Sequence, residues 1–326
     1  MKILAVDDDP VILELLVEVL RVADFTNLTI CESAKEALDL IAKSTVPFDC
    51  FLLDIQMPAM DGIQLTSAIR KLPQHVETPI LMITAMSERT YIDSAFSAGA
   101  SDYITKPFEI GEVHARLRLI EELVMQRKMR DDRNPVPPPR SAQSIATEDD
   151  FAKRLVPADI DGVIDYLALE NYLLQISRIS TFGMQAFGIV VPGMERMFLA
   201  SSVFEYESAI SDIAEAISDT LKPCDFFVAH AGAGEFVVVL TGGGPFDAQR
   251  YQHELTAAVE VMDLCYCDGR PLVVRPVVGD ALSLQMKSSR GITNTLVQAL
   301  ANAESCVDRP REAAPRSSVL KVLFGA

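Results

Sequence analysis

The first 125 residues alternate short apolar runs with segments whose apolar residues recur at helical spacing. Runs at 2–7, 28–32, 48–54, 79–84 and 102–106 predict strands. Between them, Val11 to Val22 carries apolar residues at 11, 12, 15, 16, 19 and 20. Ala34 to Ala42, Ile63 to Leu72 and Tyr91 to Ala98 are periodic in the same way and predict helices. Strand–helix repetition of this length predicts α/β architecture, a doubly wound five-stranded parallel sheet with helices on both faces. Gly62 and Gly99 mark loops or helix ends. A fifth helix is predicted from about Glu112 to Met129, with Val113, Leu117, Ile120 and Val124 on one stripe.

After residue 130 the pattern breaks. Asn134 to Arg140 reads NPVPPPR, and three consecutive prolines exclude a helix, so an extended linker is expected. Ser141 to Asp150 reads as similarly loose. Periodicity then returns in four helical segments, Tyr166–Ile179, Glu207–Leu221, Ala248–Val261 and Asn294–Val307. Four strand candidates lie among them, Ala186–Val191, Asp225–His230, Glu235–Leu240 and Leu272–Val278. That order is compatible with an α+β ferredoxin-like core. Arg309 to Ser318 reads as loop. The expected organisation is 1–125, a helical extension and proline-rich linker over 126–155, and a second domain over 156–326.

The net charge of −17 divides as 10 Lys+Arg against 20 Asp+Glu over residues 1–125, and 19 against 26 over the remainder. Neither half is basic, which argues against a DNA-binding output, because phosphate neutralisation dominates that affinity. The six cysteines, at 31, 50, 224, 265, 267 and 306, form no CxxC pair and read as reduced thiols. No apolar run approaches the ~18–20 residues of a membrane span. The N-terminus opens directly into a strand without a signal core, so a cytoplasmic protein and no membrane partner are expected.

Chemistry collects at the strand ends. Asp7-Asp8 closes the first run, Asp54 the third, Thr84 the fourth and Lys106-Pro107 the fifth. The carboxyl ends of strands in an open α/β sheet form its ligand crevice. Mg²⁺ takes oxygen ligands and keeps several waters, so Asp7, Asp8 and Asp54 are enough to hold it beside a phosphate. A carboxylate can attack a phosphoryl donor, and Lys106 can offset charge on the transferring oxygens. Thr84 can bond a phosphoryl oxygen once one is present, which makes it a sensor, with Tyr103 on the adjacent strand able to move with it.

Residues 1 to about 125 resemble the receiver domain of two-component response regulators. The matching residues are Val6-Asp7-Asp8-Asp9-Pro10, Leu53 to Pro58, Asp61-Gly62, Thr84-Ala85, Gly99-Ala100, Asp102-Tyr103 and Lys106-Pro107-Phe108. The resemblance implies a flavodoxin-like fold and Asp54 as phosphoacceptor, with Thr84 and Lys106 assisting. It implies Mg²⁺ held by Asp7, Asp8, Asp54 and Gln56, and a switch through Thr84 and Tyr103. It further implies a histidine kinase or phosphotransfer protein as donor, and a cis bond between Lys106 and Pro107. In that family the positions of Gln56 and Met86 flank the path of hydrolytic water. Met86 is bulky and apolar, so wild type should lose its phosphoryl group more slowly than Met86→Asn, as decay of the phosphorylated species would report.

Residues 230–240, HAGAGEFVVVL, resemble the central hairpin of diguanylate cyclases of the GGDEF family. Glu235-Phe236 and Gly232 match its turn; Ala233 replaces the second glycine and Gly234 the catalytic acid. His230 stands where arginine is usual. Diguanylate cyclases need two metal-binding carboxylates, and the first strand here, Ile189-Val190-Val191-Pro192-Gly193, has none. Lys222-Pro223-Cys224-Asp225 resembles the family's Arg-x-x-Asp product site but lies one residue out of register. A β-bulge would absorb that shift. The expected output is therefore a degenerate, non-catalytic domain acting through protein association, by homodimerisation or on a downstream partner. The alternatives are a divergent cyclase using Glu235, or a module that senses nucleotide without turnover.

Overall fold

A computed structural model describes residues 1–85, 89–133, 148–157, 159–176, 181–222, 224–242, 244, 246–285, 287 and 289–307. Met86, Pro223, the proline-rich stretch with residues 141–147, the helix end at 177–179 and the loop at 309–318 lie outside the described residues.

The first half contains strands β1 (Ile3–Val6), β2 (Leu28–Cys31), β3 (Cys50–Asp54), β4 (Ile80–Thr84) and β5 (Asp102–Thr105). They form one parallel sheet in the order β2-β1-β3-β4-β5. Between and after them run α1 (Pro10–Val22), α2 (Ala34–Lys43), α3 (Gly62–Arg70), α4 (Arg89–Ser97) and α5 (Ile110–Arg133). β1, β3 and β4 are buried throughout, as expected of central parallel strands covered on both faces.

Local chemistry fixes the helix starts. Asp9 caps α1, accepting from Val11 N, and Pro10 occupies the first turn, where its missing N–H costs nothing. Asp61 and Gln64 form a reciprocal capping box on α3. Gly62 is required there: a Cβ would run into the Asp54 carbonyl oxygen, so α3 can start only by passing close to the end of β3.

The apolar face of α1 differs from expectation. Leu13, Leu16, Val19 and Leu20 face the core, while Val11 and Leu15 are 69% and 44% exposed. The helix is apolar almost all round, so period alone did not select the inward side. The α5 stripe is as expected, with Val113, Leu117, Ile120 and Val124 buried.

The described part of the second half begins with α6 (Glu148–Ala152), inside the stretch expected to be loose. Then follow α7 (Tyr166–Ile176), β6 (Gln185–Val190), α8 (Met194–Ala200), α9 (Val203–Leu221), β7 (Phe226–Gly232), β8 (Glu235–Leu240), α10 (Ala248–Val261), β9 (Val277–Val278), β10 (Leu282–Ser283) and α11 (Ser289–Val307). The sheet is antiparallel in the order β10-β6-β8-β7, with β9 also paired to β6.

Boundaries depart from the sequence reading in one strand and two helices, among others. The strand expected over Leu272–Val278 is reduced to Val277–Val278, because Pro276, which has no N–H to donate, interrupts its ladder. The helix placed from Glu207 starts earlier, at Val203, where Ser202 and Glu205 form a capping box. The helix placed from Asn294 begins at Ser289.

Candidate functional site

The strand ends place four residues together. Asp7 follows β1, Asp54 ends β3, Thr84 ends β4 and Lys106 follows β5. Asp7 and Asp54 are buried, while Asp8 is exposed. One carboxylate oxygen from each lies within 4.8 Å of the others. Lys106 Nζ bridges the two buried acids, at 2.7 Å from Asp7 Oδ2 and 2.8 Å from Asp54 Oδ1. Asp7 Oδ1 also accepts from Asp9 N at 3.0 Å, so the α1 cap and the acidic site are one piece of backbone.

The electrostatics follow from this packing. Burial raises the Asp54 carboxyl above its ordinary range, opposed by Lys106 and reinforced by Asp7. The Gln56 backbone N–H also bonds the Asp54 carboxylate and lowers it. Gln56 therefore reaches the site through its main chain, and its side chain is exposed. Burial pulls the Lys106 ammonium down, but its bonds to Asp54 and Asp7 outweigh that and leave it raised. It stays charged at neutral pH.

Thr84 is fully buried, and its carbonyl accepts from Lys106 N at 2.7 Å. The Lys106–Pro107 peptide is cis. Tyr103 is buried, one strand over and paired in register with Met82. Its ring meets Phe96 of α4 edge-on at 6.2 Å. Phe96 in turn meets Tyr172 of α7 at 5.4 Å, and Tyr172 meets Phe227 of β7 at 4.8 Å. Four rings thus run from the first sheet to the second.

Polar contacts flank that line. Arg89 Nη2 donates to the Thr241 carbonyl at 2.6 Å, and Asn171 Nδ2 to the Ser101 carbonyl at 3.0 Å. Arg116 of α5 pairs with buried Asp102 and faces the Gln175 side chain of α7. One hydrophobic cluster includes Leu53, Phe96 and Tyr103 from the first half and Tyr172, Phe227 and Leu296 from the second. Sequence reasoning missed this contact. The apolar stripes of α4 and α7 were legible as stripes, but a stripe does not name what it packs on.

The second candidate turn, Gly232 to Phe236, joins β7 to β8. Gly232, Ala233 and Gly234 all have positive φ, 104°, 53° and 77°. A Cβ at Gly234 would meet Met194 Cγ at 2.6 Å, so any larger residue there requires Met194 to shift. Glu235 is pushed up to about 7 by burial and by Glu304 of α11, so it sits against a second carboxyl. His230 is buried and accepts from Leu155 N at 3.0 Å through Nδ1. A register shift falls between His230 and Gly232, upstream of the turn. Lys222 pairs with Asp219 at 2.6 Å.

Residues 3–118 match the family model described as the response regulator receiver domain. The transcriptional regulatory protein KdpE of Staphylococcus aureus is 40% identical over 122 residues, covering 37% of this chain and 50% of that protein. The signal transduction histidine-protein kinase BarA of Escherichia coli is 36% identical over 115 residues, covering 35% and 12%. The chain spans about half the length, or less, of these curated relatives. Among solved structures, the receiver domain of the Francisella response regulator 1452 is 31% identical over 37% of this chain and 96% of that one, with a TM-score of 0.32. The N-terminal part of this chain, residues 3–118, is therefore a response regulator receiver domain of the kind used in two-component systems.

Proposed function

We propose that the chain is a response regulator that accepts a phosphoryl group on Asp54 and signals through a non-catalytic second domain. The observation that carries this reading is the Lys106 ammonium bridging Asp7 and Asp54 beside an exposed Asp8. Three carboxylates and a lysine at the end of a parallel sheet are a hard-oxygen set suited to Mg²⁺, with Asp7, Asp8 and Asp54 as the side chains to hold it. When bound, Mg²⁺ supplies positive charge against the phosphoryl oxygens. The Asp54 carboxylate oxygen bonds to phosphorus as the donor's P–N bond breaks, and the donor imidazole leaves. Lys106, freed from part of its pairing, offsets charge on the transferred group. The donor is a histidine kinase or phosphotransfer protein.

The ring line Tyr103–Phe96–Tyr172–Phe227 gives the receiver a packed route to the second sheet. A Thr84 hydroxyl drawn toward a phosphoryl oxygen leaves space for Tyr103 to move, which loosens or reshapes the α4–α7 contact. The output is a change in association, with a second copy or with a downstream protein.

The antiparallel order β10-β6-β8-β7 supports a ferredoxin-like, cyclase-type reading of residues 156–326. The lack of an acid on β6, the filled space at Gly234 and the pairing of Glu235 with Glu304 support a domain without turnover. Full-length protein with Mg²⁺, beryllofluoride and GTP should yield no cyclic di-GMP. Gly234→Asp should yield none either, and should lose about 2–3 kcal/mol of stability in thermal unfolding, from left-handed strain and the clash with Met194. Product in wild type that disappears in Glu235→Ala would sink the non-catalytic reading.

A further inference from the structure

Residues 148–155 lie on the second domain in the manner of a bound peptide. α6 has five residues, too few to hold a helix by itself, so its shape comes from the surface beneath it. Phe151 places its ring 5.3 Å from Phe198 of α8 and 5.7 Å from Tyr206 of α9, which are themselves 5.1 Å apart. The Phe151 carbonyl accepts from Ala233 N at 3.0 Å and from the Tyr206 hydroxyl at 3.4 Å. The Ala152 carbonyl fills the space a Cβ on Gly232 would need. Leu155 N donates to His230 Nδ1 at 3.0 Å, and the Arg154 guanidinium lies 3.9 Å over the Tyr166 ring. An aromatic anchor with main-chain bonds on either side is a recurring mode of peptide capture.

Floor and occupant differ in depth. Phe198, Tyr206 and His230 are buried, whereas Phe151, Lys153 and Leu155 are half-buried and Ala152 and Arg154 exposed. The segment is short and partly solvent-facing, the kind of region that opens locally at low cost. Among the described residues, the buried His230 Nε2 has no hydrogen-bond partner, so the occupied cleft is incompletely satisfied. Burial pushes the His230 imidazole down to about 3, with Arg154 adding to this. It is thus neutral at working pH, and Nδ1 can accept from Leu155.

We infer that the cleft between the turn 232–234 and helices α8 and α9 is a docking site for a short segment anchored by one aromatic side chain, and that residues 148–155 of this chain are its releasable cis occupant. The ligand class is a peptide with a phenylalanine on one helical turn followed by an extended stretch that offers a main-chain N–H to His230. These contacts hold whether or not residues 156–326 are cyclase-like.

The test uses full-length Phe151→Ala and a fluorescent peptide spanning residues 146–158. The peptide should bind the variant saturably and wild type at least about tenfold more weakly, because the wild-type site is filled. The same peptide carrying Phe151→Ala should lose at least about tenfold in affinity, the effect of deleting a buried aromatic anchor. A cooperatively melting variant that binds no peptide overturns the inference. Hydrogen exchange on wild type covers the case of a variant that does not fold. The amides of Ala233 and Leu155 should open together, ahead of Val238 in β8. Opening only with Val238 makes the segment a fixed part of the core and also overturns the inference. A dimer by light scattering that Phe151→Ala abolishes would place the occupant on a second copy and refute the cis assignment.

Discussion

Asp54→Asn is expected to abolish phosphoryl uptake. With Mg²⁺ and acetyl phosphate, wild type should gain the mass of one phosphoryl group, and the variant should match the donor-free control. Asp54 sits at the end of β3 with Lys106 Nζ at 2.8 Å. Asparagine keeps an oxygen for that lysine but has no carboxylate to form an acyl phosphate. The fold should persist. The substitution removes a buried charge that Asp7 repels and Lys106 attracts, and Lys106 keeps Asp7 as its charged partner at 2.7 Å. Cooperative thermal unfolding should therefore be retained. Uptake by the variant at the wild-type rate would move the acceptor to Asp7 or Asp8.

Phe96→Ala should have the largest effect on stability. Phe96 is fully buried and touches Tyr103 within the receiver and Tyr172 across the contact. Deleting such a ring costs about 3–5 kcal/mol. Its cluster continues into the second half, so the loss should also uncouple the two halves. Denaturant unfolding followed by hydrogen exchange should show α7 protection falling before that of β1 and β3. Phe25→Ala is the matched control. Phe25 is buried in a cluster confined to the first half, so its loss should weaken the receiver and spare α7. If both variants lower α7 protection equally, the contact does not transmit through Phe96.

Much of the receiver was legible because four of its five strands are apolar runs that close on a reactive residue. The sequence places Asp7, Asp54, Thr84 and Lys106 at the ends of β1, β3, β4 and β5, and the sheet sets these four strands side by side. Legibility failed where more than one face or partner was available. Val11 and Leu15 belong to a helix apolar all round, and only packing on the sheet chose its inner side. Phe96 and Tyr172 read as ordinary core positions, and no periodicity says that they meet each other. α6 was hidden for a different reason: five residues have no helical period, and its form comes from Phe198 and Tyr206. At Gly234 the missing acid was visible in sequence, but the reason was not. Gly234 has a left-handed backbone packed on Met194, and both features favour glycine there.

In the proposed function, chemistry at Asp54 alters the α4–α7 contact. Hydrogen exchange of full-length wild type and Asp54→Asn, each with and without Mg²⁺ and beryllofluoride, tests it most directly. Adding beryllofluoride should speed exchange in α7 and around Asn171 in wild type and change nothing in Asp54→Asn. Exchange in α7 that stays the same in wild type, while the amides around Asp54 become protected, would contradict it.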